Sequence, residues 1–158
     1  DTEGWKRLKA VAPYMIPARC TGGAGQPPEG VQIMTYSYPL TVAYDWKDEE
    51  LVYQFVKAID ENFPLYKAAY PALANWERKK AIVVGFNLPF HRGAVRYFKE
   101  IGLWNQEYED WQKNRLEKQN RLAAAWTSAT AEAAQKGLKG EEFTKFWLKK
   151  HDEAVKGF

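Results

Sequence analysis

The sequence contains very little cysteine and histidine, with one Cys (Cys20) and two His (His91 and His151) among 158 residues. A single cysteine excludes an internal disulfide and any zinc site built from Cys-x-x-Cys pairs. There is also no glycine-rich phosphate loop and no His-Glu-x-x-His motif. Because so few nucleophiles and bases are available, and none has a suggestive spacing, an enzyme is the weakest of the functional classes. Neither a metal nor a cofactor is expected.

Charge of one sign and long apolar runs are lacking as well. The chain has 23 Lys and Arg residues against 20 Asp and Glu residues. Neither the part of the sequence before residue 104 nor the part after it has a strong excess of basic residues. Phosphate backbones require a marked basic bias, so no nucleic-acid partner is expected. No apolar run reaches the length of about 18 residues that spans a bilayer. The chain begins at Asp1 without a basic and then apolar segment, so we expect that a signal peptide is removed or that the chain is a piece.

Aromatic side chains are abundant, at 15% of all residues. The remaining composition, 46% hydrophobic and 27% charged residues, is ordinary for a globular protein and argues against disorder. Rings at this density require a large core, a partner surface or a ligand cleft to cover them. The sequence therefore predicts a folded domain with substantial apolar contacts.

The first zone of the chain, up to about residue 46, predicts a loop and two short strands. Gly and Pro dominate residues 21–30, which predicts no regular structure there. Residues 31–36 and 40–44 are rich in Val, Ile, Thr and Tyr, which favours strands. Pro39 lies between them and cannot donate to a ladder, so one of the two runs lies at an edge or a bend.

The second zone, residues 48–104, predicts helices. Asp45 or Asp48 can cap the first helix. The apolar stripe of that helix comprises Leu51, Val52, Phe55, Val56, Ile59 and Phe63. A further helix is predicted to begin near His91 and to end at Gly102, which suits the left-handed position that terminates helices.

The third zone, residues 105–158, predicts a helical hairpin. Its turn is bracketed by Gly137 and Gly140. At helical spacing, one face of the first helix would comprise Trp104, Tyr108, Trp111, Arg115, Gln119, Leu122 and Trp126. Such a hairpin would expose its aromatic stripes if it stood alone, so we expect it to pack on the rest of the chain or on another chain.

Several segments occur in an order that is similar to a known family. They are the run Ala10-Val11-Ala12-Pro13-Tyr14 with Ile16-Pro17-Ala18, the glycine-rich loop, the run from Asp45-Trp46-Lys47 to Leu51-Val52-Tyr53, and Leu88-Pro89-Phe90-His91-Arg92-Gly93-Ala94 with Glu100-Ile101-Gly102. Together they resemble the C-terminal part of the TAXI family of solute receptors of TRAP transporters, over roughly residues 5–104. Arg92 stands where the family usually has Pro, and residues 105–158 extend past the usual family end.

The resemblance implies an α/β fold, part of a two-lobe periplasmic-binding-protein (type II-like) fold that closes on a small ligand. Residues 1–104 would be its C-terminal portion, with the interlobe crossing near residues 35–40, and residues 105–158 a helical extension. The implied ligand is a small organic acid or amino acid such as glutamate, delivered to a TRAP membrane permease outside the cytoplasm without bond chemistry. The N-terminal lobe precedes Asp1 in this family, so the chain would need a missing N-terminal half or a second copy.

The implied ligand residues are Thr35, Tyr36, Ser37 and Tyr38, at the expected interlobe crossing. Their hydroxyls can donate to a bound anion and a phenol ring can form a wall, although tyrosines are also ordinary strand residues. Thr21 belongs to a glycine-rich loop that either brings backbone N–H groups to an anion or is a plain connector.

Three further residues and the hairpin have alternative interpretations. His91 is a ligand contact or, more simply, packs against or caps its helix. Arg92 and Arg96 bind a carboxylate or lie on solvated helix faces. In the alternative function, residues 105–158 make the chain a helical protein-interaction or dimerisation module without a transport role.

Overall fold

The computed structural model of the chain describes residues 1–36, 40–82 and 88–158. Its elements in chain order are α1 (Thr2–Val11), β1 (Ile16–Cys20), β2 (Val31–Thr35), α2 (Glu49–Glu61), α3 (Phe63–Tyr66), a 3-10 helix (Pro71–Trp76), α4 (Arg78–Ala81), α5 (Arg92–Glu100), α6 (Gln106–Lys136) and α7 (Gly140–Ala154). The chain divides into two compact units, Asp1–Trp104 and Asn105–Phe158. No helix in the described ranges combines the length and the hydropathy that a membrane span requires.

The strands β1 and β2 form an antiparallel pair, with Ile16 opposite Thr35 at one end and Cys20 opposite Val31 at the other. The predicted strand at 31–36 is therefore confirmed over Val31–Thr35. The predicted strand at 40–44 is wrong, because these residues have no regular secondary structure. A β-prone run does not form a strand without a ladder partner, and β2 pairs with β1 instead.

The loop between the two strands closes on itself. It has no regular secondary structure, as predicted for residues 21–30. Gly30 has a φ of +72°, and a Cβ at this position would overlap the carbonyl oxygen of Cys20. The guanidinium group of Arg19 donates to the carbonyl oxygen of Glu29 over 2.7 Å. The glycine is needed because the chain turns back tightly against its own backbone.

Helix α2 begins as predicted, but only part of its predicted apolar stripe is packed, with Val56 against the core. The carboxylate of Asp48 accepts from the backbone N–H of Leu51 over 2.9 Å, which caps the helix. The buried side chain of α2 is Tyr53, which the predicted apolar stripe does not include. Leu51 and Phe55, which do belong to that stripe, are exposed.

The core of the first unit lies between α2 and α5. Its buried residues are Tyr53, Ala94, Tyr97 and Phe98, flanked by Val56, Ile82, Phe90, Ile101 and Trp104. The two helices approach closely at Gly93, where a Cβ would overlap the carbonyl oxygen of Glu49 and lie 2.7 Å from the backbone nitrogen of Tyr53. Only glycine permits this approach, so the packing of α5 depends on this one residue.

Helix α5 ends in a Schellman motif, as its sequence predicts. Gly102 has a φ of +70°. The N–H of Leu103 donates to the carbonyl oxygen of Phe98 over 2.9 Å, and the N–H of Gly102 donates to that of Lys99 over 3.1 Å. Trp104 then stacks on Phe98, with ring centroids 6.4 Å apart. The expectation that Trp104 continues the aromatic face of the next helix is therefore wrong, because its ring packs in the first unit.

In the second unit α6 and α7 pack against each other as a hairpin, as predicted. Asn105 caps α6 by accepting from the N–H of Tyr108 over 2.9 Å. Gly137 ends it with a φ of +68°. The residues buried between the helices are small, Ala129 and Ala133. An aromatic cluster lies beside them, in which the ring of Trp126 is 4.8 Å from that of Trp147 and 5.7 Å from that of Phe143.

Candidate functional site

The two described ligand residues predicted in the crossing segment, Thr35 and Tyr36, lie at the open end of the β1–β2 hairpin. Thr35 is the last residue of β2, and its hydroxyl donates to the carbonyl oxygen of Tyr36 over 3.4 Å. Tyr36 follows the strand with an exposed side chain. Ser37 and Tyr38 lie outside the described residues. The described part of the segment thus has a hydroxyl and a phenol on successive residues at a strand end.

Thr21 lies at the opposite end of the same hairpin. It directly follows Cys20, which pairs with Val31, whereas Thr35 pairs with Ile16. Thr21 lies five residue steps of about 3.4 Å from Ile16, the partner of Thr35, so Thr21 and Thr35 are roughly 17 Å apart along the sheet. In this conformation the structure does not bring the two threonines to one small ligand.

A shallow depression of about 500 Å³ lies against the middle of the hairpin. It is lined by Trp5, Pro17, Ala18, Arg19, Gln32, Ile33 and Met34. None of the described residues predicted to bind the ligand is among them. The only cation in that lining, Arg19, already donates to the carbonyl oxygens of Glu29 and Gly30 over 2.7 and 3.4 Å. The depression therefore offers an indole ring and an amide rather than an uncommitted positive charge.

The two arginines of α5 bind groups of the chain itself. Arg92 donates to the carbonyl oxygen of Asp45 over 2.7 Å and to that of Lys47 over 3.0 Å. Arg96 donates to the carboxylate of Glu50 over 2.7 Å and lies over the ring of Tyr53, 4.1 Å from its centroid. Both guanidinium groups hold the segment around the start of α2 against α5. A ligand carboxylate would have to displace these contacts.

A second set of contacts joins the middle of α2 to the end of α5. The hydroxyl of Tyr53 donates to Glu100 over 2.5 Å, and the ammonium of Lys57 lies 3.2 Å from the same carboxylate. The hydrogen bond from Tyr53, and then that from Lys57, lowers the pKa of Glu100. The ammonium of Lys57 also donates to the hydroxyl oxygen of Tyr53 over 3.3 Å, and this hydrogen bond, followed by the one to Glu100, raises the pKa of Lys57. These contacts connect the side chains of Tyr53, Lys57 and Glu100 to one another and link α2 to α5.

A third set of contacts is centred on Asp60, whose side chain is less exposed than that of Glu100. The hydroxyl of Tyr97 donates to its carboxylate over 2.5 Å, and Arg78 donates to both of its oxygens over 2.6 to 3.0 Å. Burial alone would raise the pKa of Asp60, but the hydrogen bonds from Arg78 and Tyr97 hold it below the usual value. Burial, and then the hydrogen bond to Asp60, raises the pKa of Tyr97 to about 12.

His91 caps α5 rather than presenting its ring to solvent. Its Nδ1 accepts from the backbone N–H of Gly93 over 3.1 Å. An accepting Nδ1 requires the neutral ring with its proton on Nε2, and that nitrogen is buried with no hydrogen-bond partner among the described residues. The interpretation that His91 caps its helix agrees with this geometry. The residue whose N–H is bound, Gly93, is also the residue that lies against α2.

The comparisons with known proteins give one decisive match: the sequence profile of the NMT1-like family matches residues 3–102. The chain belongs to the NMT1-like family. This family comprises solute-binding proteins of the periplasmic-binding type, which are binding proteins rather than enzymes and are typically extracytoplasmic. Neither the comparison with curated proteins nor the comparison with solved structures gives a significant match.

The NMT1-like match covers the first unit almost completely, from α1 to the Schellman motif after α5. It therefore includes the hairpin and all three sets of contacts between α2, α5 and Arg78. The segments that carry the family resemblance include Tyr53, Gly93 and Glu100, but their sequence did not reveal how these residues pack, nor how Tyr97 does. The Tyr-x-x-x-Lys spacing on α2 was an available signal, because residues four apart share a helix face.

Proposed function

We propose that this chain is the C-terminal portion of a TAXI-type solute receptor that serves a TRAP transporter outside the cytoplasm. It captures a small organic acid or amino acid, with glutamate as the model ligand, and performs no bond chemistry. The observation that carries the proposal is the NMT1-like match over residues 3–102. The order of motifs within that range, in particular His91-Arg92-Gly93-Ala94 before Glu100-Ile101-Gly102, supports the narrower TAXI assignment.

The proposed fold is the type II-like arrangement of two α/β lobes joined by crossing strands. In this proposal residues 1–104 contribute the end of the receptor, and residues 35–40 form the crossing between its lobes. The β1–β2 hairpin supports this interpretation because β2 leads directly into the crossing segment. The membrane permease subunits of the transporter would be the protein partner.

Ligand binding is assigned first to residues 35–38, where hydroxyl groups occur in succession. A ligand carboxylate would accept a hydrogen bond from Tyr36 and, once the Thr35 hydroxyl leaves the carbonyl oxygen of Tyr36, a second from Thr35. Thr21 is assigned as a second contact only for a ligand at the far end of the hairpin, about 17 Å away by strand geometry. The two assignments make different predictions for single substitutions.

The test is titration calorimetry on the complete gene product with glutamate and related dicarboxylates. Thr35→Val and Tyr36→Phe should each weaken binding by roughly 10- to 100-fold, the effect of one hydrogen bond to a charged group. Thr21→Val, the matched substitution at the other end, should leave the affinity unchanged. Weakening by Thr21→Val alone would move the ligand to the glycine-rich loop, and no binding of any of these acids would refute the proposed function.

A second candidate function concerns the helical hairpin, as a protein-interaction or dimerisation module. The observation that favours it is the exposure of Leu116 and Leu148 on α6 and α7. Light scattering of the full chain and of a Leu116→Lys, Leu148→Lys variant tests this function. A dimer that becomes a monomer in the variant supports the module, whereas equal monomeric masses exclude self-association through these residues.

A further inference from the structure

Two basic residues of α6, Arg115 and Lys118, lack a neutralising partner. Elsewhere on the helix, Arg121 pairs with Glu117 four residues earlier over 2.6 Å. No Asp or Glu lies three or four residues from Arg115 or Lys118, the spacing at which side chains of a helix meet. In the part of the chain that the structure describes, neither residue forms an ion pair, although both are half-buried. The helix therefore holds two positive charges that nothing nearby offsets.

The guanidinium group of Arg115 has one donor edge that is only half used. This edge consists of Nε and Nη2. Nη2 donates to the neutral amide oxygen of Asn114 over 2.6 Å, whereas Nε is buried and has no acceptor among the described residues. Buried donors are almost always hydrogen-bonded, so an unpaired one calls for an acceptor. Asn114 is exposed, so its amide can turn away and leave both donors of the edge to another group.

Arg78 shows what the same edge binds in this protein. Its Nε lies 3.0 and 2.9 Å from the two carboxylate oxygens of Asp60, and its Nη2 donates to one of them over 2.6 Å. The fork of a guanidinium matches carboxylate and phosphate groups in this way, and a charged acceptor makes a stronger hydrogen bond than a neutral one. An oxyanion is therefore a better acceptor for the edge of Arg115 than the amide of Asn114.

Lys118 provides a second positive charge on the same side of α6. Side chains three residues apart in a helix have Cβ atoms about 5–6 Å apart, so one oxyanion can contact both. Burial, and then the positive charge of Arg115, lowers the pKa of Lys118. A negative group beside the two cations would remove their mutual repulsion as well as satisfy the unpaired donor.

We propose that Arg115 and Lys118 form a binding site for a small oxyanion, the phosphate or carboxylate group of a small molecule. The edge of Arg115 would donate to two of its oxygens, and the ammonium of Lys118 would donate to one of them. The site lies outside residues 3–102, which match the NMT1-like family, so it goes beyond the proposed receptor function and does not depend on it.

An NMR titration of the chain with inorganic phosphate and with citrate, at constant ionic strength, tests the site. The Nε–H signal of Arg115, identified by its loss in Arg115→Gln, should shift as an acceptor reaches it. The bound anion should also raise the pKa of Lys118, which is followed by the chemical shifts of its side chain. The probe that acts at the lower concentration shows whether a phosphate or a carboxylate group is preferred.

Substitutions on the same helix separate the site from general charge attraction. Arg115→Gln and Lys118→Met should each weaken binding of the preferred probe by roughly 10- to 100-fold, the effect of one hydrogen bond to a charged group. Arg121→Gln is the matched control, because Arg121 already pairs with Glu117, and it should keep the affinity. If a variant loses helix content by far-UV circular dichroism, the Nε–H titration of the unchanged chain decides.

Two results would overturn the oxyanion site. The first is an Arg115 Nε–H signal that neither probe shifts up to roughly 10 mM, where a site with a Kd of about 1 mM is nearly saturated. The second is equal weakening by Arg121→Gln and Arg115→Gln, which would reduce binding to attraction by the overall positive charge of the helix. Calorimetry with glutamate on the complete gene product tests the receptor function separately, so either proposal can fail without the other.

Discussion

Gly93 provides the sharpest test of how the first unit is packed. It lies where α5 crosses α2, and the Cβ of an alanine there would overlap the carbonyl oxygen of Glu49. The same Cβ would lie 2.7 Å from the backbone nitrogen of Tyr53 and 3.1 Å from the Cβ of Val52. Since two of these three atoms belong to the backbone, no side-chain rotation relieves the overlap. The helices must separate by about 1 Å to restore an ordinary contact of about 3.5 Å.

The separation acts on contacts that hold the two helices together. Tyr97, which is only 1% exposed, and Tyr53 pack edge to face with ring centroids 5.9 Å apart. Overpacking of this kind costs about 1–3 kcal/mol. Replacing a helical glycine by alanine returns at most about 1 kcal/mol. We therefore expect Gly93→Ala to lower the free energy of unfolding by about 1 kcal/mol, which corresponds to a decrease in Tm of about 4–8 °C for a unit of this size.

Thermal unfolding followed by far-UV circular dichroism measures this change. Gly22→Ala is the control, because a Cβ added at Gly22 would meet no atom within 4 Å and the residue has no positive φ. Its Tm should stay close to that of the unchanged chain. A Gly93→Ala variant with an unchanged Tm and an unchanged near-UV tyrosine spectrum would refute the close approach of α5 and α2.

Three further predictions concern the helix cap and the set of contacts around Asp60. Asp48→Ala should cost about 1 kcal/mol in urea unfolding, whereas Asp45→Ala should cost much less, because only Asp48 accepts from Leu51; equal losses would contradict this capping. The pKa of Tyr97 rises from 10.0 to about 12 on folding, so its stabilising contribution is complete below pH 10.0 and is lost as the pH rises towards about 12. Tyr97→Phe should cost about 2 kcal/mol at neutral pH and flatten this alkaline loss in unfolding titrations; an identical slope in both proteins would argue against it. The pKa of Asp60 falls below 3.8 on folding, so its contribution is complete above pH 3.8 and is lost as the pH falls through the lowered value. Asp60→Asn should therefore reduce the acid sensitivity of unfolding, and an unchanged acid midpoint would count against the contacts with Arg78 and Tyr97.

Local patterns in the sequence determined the helices and their ends. Asp48, His91, Gly102 and Gly137 each act through hydrogen bonds or a φ angle within a few residues, so their roles follow from neighbouring sequence alone. The hairpin of α6 and α7 follows from the same kind of information. The motif order within residues 3–102 also suffices to indicate a solute-binding family, because it needs no knowledge of contacts.

Contacts between distant residues were decided only by the tertiary structure. Residues 40–44 have strand propensity yet form no strand, while Ile16–Cys20, which contains Pro17, pairs with β2. The core of the first unit is built on Tyr53 rather than on Leu51 and Phe55. Strand formation and burial depend on which surface is available as a partner, and a sequence pattern describes one surface at a time. Gly93 shows the same limit, since its importance arises from the backbone of α2, more than thirty residues away in the chain.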